Sequence, residues 1–482
     1  MRSPRERSRV RTASTDAIPT PRFDRELEPA PATATDLRAG SAPQTGPASG
    51  RTANAVPPRD SPSETATLGD LRGMFPAVLA AARTETIYLD SAATTQKPLP
   101  VIEAIDRYHS ARTANSGRGT YPWATGLTEA IARVRERTAR FIGAEHTDEV
   151  VFTGGATAAL NAIAMSWAVA ELRAGDEILY SPNDHAANVF PWHQVRGLLG
   201  RFGQEITLVP YRTTVTGEAD TADILAKLTP RTRLLTVSHL HHVFGALNTL
   251  TQLRGRIDPS VRLCFDASQS GGHVPVDVTA LGADFAVFAA HKMLGAPGLG
   301  ILYCRRRVHA ELLPFLPGGN SAVRIDTTGL VPGAMPELLE GGTPNIPAVL
   351  GLERALDVLQ SIGMPKVAAH NRALTVRLVD GLRPVRRLRF LPGPAHAACG
   401  VGYGIVSFTL DGISAADLGF VLSEFGFMVR TGGHCVPASG NATAPSDPAQ
   451  AESVRVSTHV YNTVDDIDRF VLRVRAIADE LG

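Results

Sequence analysis

The chain has 482 residues and a formal net charge of +1, with 44% apolar and 20% charged residues. This composition is ordinary for a globular protein, and the length suffices for one large and one smaller domain. A nearly neutral charge balance gives no reason to expect nucleic acid or an anionic membrane as a partner. No apolar run reaches the roughly 18 residues that predict a membrane-spanning helix.

Residues 1–68 are rich in Pro, Ala, Thr, Ser and Arg and poor in aromatic residues. Such a segment cannot bury enough apolar surface to offset its ordering entropy, so we predict a disordered extension. Its arginine-rich start has some similarity to a transit peptide, but acidic residues soon follow and no secretory hydrophobic region is present.

Patterned sequence begins near residue 69. Ile131, Val134, Thr138 and Phe141 have helical spacing and predict an amphipathic helix. Short apolar runs with helix-compatible segments between them follow, which predicts an α/β fold with a mostly parallel central sheet covered on both faces. The predicted strands are residues 149–152, 177–180, 233–238, 261–265, 285–288 and 300–303. From about residue 365 the pattern predicts a smaller α+β domain that ends in a helix around 467–477.

A glycine-rich turn at residues 152–157 opens an apolar helical segment. The free N–H groups and the positive dipole end of such a helix suit a phosphate, although strand-to-helix turns often contain glycine for packing alone. Asp266 directly follows the predicted apolar strand 261–265, at the strand end where ligands of open α/β sheets bind. Asp266 could therefore pair with a protonated ring nitrogen, or could simply cap the next helix.

Lys292 follows the strand 285–288 in an apolar, small-residue setting, and it is one of only four lysines in the chain. Desolvation lowers the pKa of a lysine and makes it a usable nucleophile for an aldehyde. Cys435 lies in the polar segment Arg430-Thr-Gly-Gly-His-Cys435, where no packing reason explains a cysteine. The flanking His434 could help to hold it as the nucleophilic thiolate. We expect the four widely spaced cysteines to be reduced in a cytoplasmic protein, without a metal site.

In this order the motifs resemble class V, fold-type I enzymes dependent on pyridoxal 5′-phosphate (PLP), and among them the group II (SufS-type) cysteine desulfurases and selenocysteine lyases. The resemblance runs from about Thr86 to the C-terminus. The most specific stretches are residues 88–98, 188–192, 275–277, 291–292, 340–345 and 430–435.

The resemblance implies a role for each matching residue. Lys292 would bind PLP covalently and move the substrate proton, His185 would stack on the pyridine ring, and Cys435 would carry a persulfide. Further cofactor contacts are implied for Asp266 at the ring nitrogen, Gln269 at the ring hydroxyl, and Ala156, Thr157, His291 and (from a second subunit) Thr343 at the phosphate. The implied substrate contacts are Arg455, which would bind the carboxylate, together with Asn188 and Arg430.

Two positions and one stretch depart from the family pattern. His242 stands where an asparagine usually contacts the ring hydroxyl, Ala289 replaces a phosphate-binding serine, and residues 115–121 read Asn-Ser-Gly-Arg-Gly-Thr-Tyr. A different ring-hydroxyl partner changes the electronics of the cofactor, which leaves another PLP reaction open as an alternative.

The sequence therefore predicts a homodimeric cysteine desulfurase that converts L-cysteine to L-alanine and passes sulfur to an acceptor protein. We expect a segment 69–100 that packs with the small domain, a PLP-binding domain over 101–364 and a small domain over 365–482. The alternatives are a class V lyase or aminotransferase acting on a modified amino acid, a selenocysteine lyase, and a non-catalytic sulfur carrier or scaffold. A nicotinamide-binding fold fits less well, because the glycines of 295–300 precede a strand rather than a helix.

Overall fold

A computed structural model of the chain describes residues 68–250, 253, 255–327, 329–392, 402–437 and 452–481. The proposed extension 1–68 therefore lies almost entirely outside the described residues. Within these ranges the strands are β1 Ile87–Tyr88, β2 Val150–Thr153, β3 Glu177–Tyr180, β4 Thr207–Pro210, β5 Thr232–Ser238, β6 Arg262–Asp266, β7 Phe285–Ala289, β8 Gly300–Cys304, β9 Ala322–Asp326, β10 Gly329–Pro332, β11 Leu388–Leu391, β12 Ile405–Leu410, β13 Phe427–Met428, β14 Arg430–Gly432 and β15 Ser453–Ser457.

Helices connect most of the strands. The α-helical segments are Pro76–Arg83, Leu99–Ala111, Pro122–Ile142, Ala156–Ala162, Val169–Glu171, Phe190–Gly200, Thr221–Lys227, Ser270–His273, Val278–Leu281, Ile346–Ile362, Met364–Leu382, Ala415–Glu424 and Val464–Glu480. A π-helical segment, Ile163–Ala168, continues the helix that begins at Ala156. No helix in the described ranges is long and apolar enough to cross a membrane.

The large sheet has seven strands in the order β2-β8-β7-β6-β5-β3-β4. It is mostly parallel, as the sequence predicts, and only β8 runs antiparallel to its neighbours β2 and β7. All six predicted strands are present within one or two residues of the predicted bounds, whereas β4 was not predicted. Its residues are only partly buried or exposed at the sheet edge, so they lack the continuous apolar run of the inner strands.

Alternate side chains of the inner strands enter two separate hydrophobic cores. Phe265 and Phe288 pack in the core that contains the helices Leu99–Ala111, Pro122–Ile142 and Ile346–Ile362. Cys264 and Val287 pack in the core that contains the helical segment 156–168 and the helix Phe190–Gly200. Because successive strand residues face opposite sides, both faces of the sheet are covered and the inner strands are apolar throughout.

A four-stranded antiparallel sheet in the order β11-β12-β15-β14 forms the C-terminal part. Its core also contains residues of β1, which pairs in parallel with β13 through Ile87 opposite Phe427. The final helix, Val464–Glu480, packs on this sheet and begins at a capping box of Thr463 and Asp466. Ser457 bridges to Asp90 just after β1, so the segment near residue 90 is fixed beside β15.

Candidate active site

A cavity of about 820 Å³ lies at the carboxyl ends of the central strands. Ser238 of β5 pairs with Asp266 of β6, and Asp266 pairs with Val287 of β7, so the segments that follow these strands emerge at one edge. The cavity wall includes most of the predicted site: Ala156, Thr157, His185, His242, Asp266, Gln269, His291, Lys292, Arg430, Cys435 and Arg455.

The glycine-rich turn forms one end of the cavity. Gly155 has φ +147° and ψ 170°, a conformation that L-residues with a side chain rarely adopt. A Cβ atom on Gly300 would lie 2.3 Å from the Gly155 carbonyl carbon, so both glycines are needed where β8 passes the turn. The helix begins at Ala156, two residues earlier than predicted, and its first N–H groups border the cavity where an anion is favoured.

Lys292 forms the floor of the cavity at the end of the short 3₁₀ segment Ala290–Lys292. Burial lowers the pKa of its amine to about 8, an effect that Asp266 opposes and Arg455 reinforces. A second lysine, Lys97, lies nearby, and burial also lowers its pKa to about 8. The Lys97 amine donates a hydrogen bond to the His291 carbonyl oxygen over 2.9 Å and is not part of the cavity wall. Only Lys292 of these two therefore borders the cavity.

Asp266 makes a local hydrogen bond and also borders the cavity. Its Oδ1 accepts a hydrogen bond from the backbone N–H of Ser268 over 3.0 Å, which caps the following turn. The same carboxylate lies at the cavity wall and interacts electrostatically with Lys292. Gln269 donates from Nε2 to the Ala92 carbonyl over 2.8 Å, while its buried Oε1 has no partner among the described residues.

Two histidines stand beside each other in the wall. The rings of His185 and His242 are 5.2 Å apart and inclined by 71°. His185 accepts a hydrogen bond at Nδ1 from the Ala187 N–H over 3.1 Å, which fixes the ring. His242 is 4% exposed, and neither of its ring nitrogens has a partner within the described residues. Burial, followed by the neighbouring His241, keeps the pKa of His242 well below its ordinary value, so the ring is neutral.

Cys435 is an exposed residue on the loop that follows β14. Its φ of +65° and that of His434 (+49°) form a tight left-handed turn, and its carbonyl accepts a hydrogen bond from the Ala186 N–H over 2.9 Å. Lys292 and Arg455 both interact electrostatically with this cysteine.

The structure corrects the expectation for His434. Its Nε2 is 2.9 Å from the Ser453 hydroxyl oxygen, and burial lowers its pKa to about 3. His434 also borders the cavity, but a neutral ring cannot stabilise a thiolate as a cation.

Two predicted residues are not brought to this cavity. Asn188 is fully buried, donates from Nδ2 to Asp184 over 2.8 Å and accepts from the Thr236 hydroxyl over 2.6 Å. Both polar atoms of its side-chain amide therefore have partners within the protein, and the bonds connect the segment 184–188 to β5. Thr343 borders a neighbouring cavity of about 620 Å³, where it accepts a hydrogen bond from Asn115 over 3.2 Å.

The sequence did not single out Asp90, whose carboxylate contacts two arginines of the cavity wall. It pairs with Arg455 over 3.2 Å and with Arg430 over 3.8 Å. Asp90 belongs to the family-specific stretch 88–98, which could have drawn attention to it. The neighbouring sequence does not show which charged residues lie opposite its carboxylate.

The sequence profile of the class-V aminotransferases matches residues 87–470. The chain is 32% identical over 416 residues to a probable cysteine desulfurase of Vibrio cholerae, covering 86% of this chain and 99% of that protein. It is 35% identical to a cysteine desulfurase of Klebsiella pneumoniae, over 82% of this chain and 94% of the relative. The chain belongs to the class-V aminotransferase family.

Solved structures of this family have the same fold. An apo cysteine desulfurase of Thermococcus onnurineus is similar with a TM-score of 0.76 and 29% identity, over 85% of this chain and 98% of the other. A cysteine desulfurase of Escherichia coli has a TM-score of 0.75 and 28% identity, over 87% and 100% of the two chains. The prediction of a PLP-dependent enzyme of class V and fold-type I is confirmed, whereas the SufS-type subgroup is not distinguished.

The cavity fits PLP, the cofactor of the family. A primary amine, the start of a helix that favours an anion and a carboxylate all border the cavity, and these groups match the aldehyde, the phosphate and the protonated ring nitrogen of PLP. Three buried atoms in the wall that have no partner among the described residues, Gln269 Oε1 and both ring nitrogens of His242, are suited to polar atoms of the ring. The implied phosphate contacts are Ala156, Thr157 and His291, and all three border the cavity.

Proposed function

We propose that this chain is a cysteine desulfurase, which converts L-cysteine to L-alanine and retains the sulfur as a persulfide on Cys435. The observation that carries the proposal is the exposed thiol of Cys435 in the same cavity wall as Lys292 and Arg455. An amine, a carboxylate-binding guanidinium and a nucleophilic sulfur are the three groups that desulfuration of an amino acid requires. The named relatives, at 32–35% identity over most of their length, support the same reaction.

Each residue has a distinct task in this proposal. Arg455 binds the substrate carboxylate as a charge-assisted pair. Lys292 has a lowered pKa and, as the free amine, accepts the proton from the substrate Cα. When bound, PLP supplies an electron sink for the electrons that this proton leaves behind, and Asp266 favours that sink by pairing with the protonated ring nitrogen.

The sulfur transfer then involves two bonds. The Cys435 thiolate attacks the substrate sulfur, so that an S–S bond forms while the Cβ–S bond breaks. The electrons of the broken bond remain on the substrate carbon, which takes up a proton on the way to alanine. The sum is L-cysteine plus protein thiol giving L-alanine plus protein persulfide, and no external oxidant or reductant is needed.

The remaining parts of the proposal concern assembly and location. We propose a homodimer in which Thr343 serves the phosphate of the second subunit, because within one chain Thr343 borders the neighbouring cavity instead. The persulfide on an exposed loop is accessible to an acceptor protein in the reducing cytoplasm. We retain the division into the segment 69–100, a domain over 101–364 and a small domain over 365–482.

The test is to incubate the purified holoenzyme with L-cysteine, measure L-alanine and map persulfide by mass spectrometry. We expect alanine and a persulfide on the Cys435 peptide alone. Cys264 and Cys304 are internal controls, because both thiols are buried and burial raises their pKa far above neutral. A holoenzyme that forms no alanine from L-cysteine contradicts the proposal. It would instead favour a class V lyase or aminotransferase, for which the replacement of the usual asparagine by His242 is the supporting observation.

A further inference from the structure

Asp90 lies behind the two arginines of the cavity wall. Its carboxylate is 3.2 Å from Arg455 Nη2 and 3.8 Å from Arg430 Nη1. Both arginines border the cavity, whereas Asp90 does not. The exposed fraction of the side chain is 3% for Arg455, 20% for Asp90 and 41% for Arg430. Arg430 is therefore the most exposed of the three groups, and Asp90 contacts both guanidinium groups without bordering the cavity itself.

Backbone pairing fixes this arrangement. Arg430 of β14 is directly opposite Arg455 of β15, and Ser457 of the same strand bridges to Asp90. Arg455 also donates from Nη1 to the His242 carbonyl over 3.0 Å, while its buried Nε has no partner among the described residues. The guanidinium is thus held in one orientation and keeps a donor free.

The charges of the three groups do not cancel. Two guanidinium groups and one carboxylate leave one positive charge, which matches one substrate carboxylate. Burial lowers the pKa of Arg455, Asp90 opposes this, and Arg430 adds to it by repulsion. The Asp90 carboxylate therefore offsets the repulsion between two cations held side by side in a poorly solvated place.

We propose that Asp90 is a positioning and specificity-determining residue, which makes the arginine pair select amino acids with an uncharged side chain over those with a second negative charge. The proposal rests on the proposed function in one respect, the binding of the substrate carboxylate by Arg455. An asparagine at position 90 keeps an oxygen that accepts from Arg455 but loses the charge. Arg430, the more exposed of the pair, is then free to attract a second anion.

The experiment uses the holoenzyme and two amino acids that contain no sulfur, L-alanine and L-aspartate. Their dissociation constants are obtained from the change that each causes in the cofactor absorbance. For Asp90→Asn we expect the ratio of affinities to move about tenfold toward L-aspartate, since a unit charge acts across a few ångströms of partly buried space. With L-cysteine, we expect KM to change more than kcat, because Asp90 acts on binding.

Two further variants separate charge from structure. Asp90→Glu keeps the charge and should retain the wild-type ratio. Asp411→Asn removes the carboxylate of an exposed pair with Arg389 and should leave the ratio unchanged. An Asp90→Asn ratio within about twofold of wild type overturns the proposal, as does a wild type that binds neither amino acid. L-Alanine and L-aspartate contain no sulfur, so their binding does not depend on desulfuration. A holoenzyme that releases no alanine from L-cysteine therefore refutes the proposed function but leaves the role of Asp90 in selectivity to the binding measurements.

Discussion

Arg455 and His242 are fixed to each other by a hydrogen bond of 3.0 Å from the guanidinium Nη1 to the histidine carbonyl oxygen. Arg455 belongs to β15 of the C-terminal sheet, whereas His242 follows β5 of the large sheet. The bond therefore links the C-terminal sheet to the segment that follows β5 at the wall of one cavity. Because the acceptor is the backbone carbonyl of residue 242, a substitution of Arg455 removes this bond, whereas a change of the His242 side chain does not.

Lys292→Ala should abolish the visible absorbance band of the holoenzyme and all turnover, because Lys292 is the amine that borders the cavity. Lys97→Met is the matched control: its amine is also buried, but it donates to the His291 carbonyl instead. We expect that variant to keep the band. A cofactor that borohydride still fixes to the Lys292→Ala protein would assign the covalent bond to another lysine.

The pH dependence of cofactor uptake by the apoprotein follows from the lowered pKa of Lys292. Only the neutral amine attacks an aldehyde, so uptake should rise with pH below about 8 and level off above it. With an unperturbed lysine, the rate of cofactor uptake would continue to rise up to about pH 10.4. Stopped-flow absorbance at several pH values measures this, with the same aldehyde and a free lysine derivative as the reference. A rate that still rises tenfold per unit above about pH 9.5 contradicts the assignment.

Asp266→Asn should bind the cofactor but lose about two or more orders of magnitude in kcat, at ~1.4 kcal/mol per tenfold. The asparagine oxygen can still accept from the Ser268 N–H, so the turn cap is preserved while the charge is lost. Steady-state kinetics and a thermal unfolding curve separate the two effects. Turnover near that of the wild type would leave Asp266 with the capping role alone.

Cys435→Ala should still bind L-cysteine, seen as a change in cofactor absorbance, because Lys292 and Arg455 remain in place. It should release little alanine and carry no persulfide, since no thiol is left to accept the sulfur. L-selenocysteine is the informative second substrate: its weaker bond to carbon permits elimination without the thiol. Undiminished turnover of L-selenocysteine together with slow turnover of L-cysteine by the wild type would favour a selenocysteine lyase.

The sequence alone located most strands of the large sheet and several residues of the cavity wall. Apolar runs of strand length located six strands of the large sheet. This was possible because strands covered on both faces consist of consecutive apolar residues, which are visible in the sequence itself. The turn at residues 152–157 begins in the last residues of β2, Asp266 is the last residue of β6, and Lys292 follows β7. The strand pairings show that these three strands run in the same direction, so the three groups lie at one edge of the sheet.

Only the tertiary structure decided which polar groups face each other. Asp90 and Arg455 are 365 residues apart in the chain and meet because Asp90 bridges to Ser457 beside β15. The sequence suggested His434 as a partner for the adjacent thiol, but its ring is hydrogen-bonded to Ser453. The side-chain amide of Asn188 is hydrogen-bonded to Asp184 and Thr236. Hydrophobic periodicity is a local property, whereas the charge and hydrogen bonding of a buried group depend on what distant segments place around it.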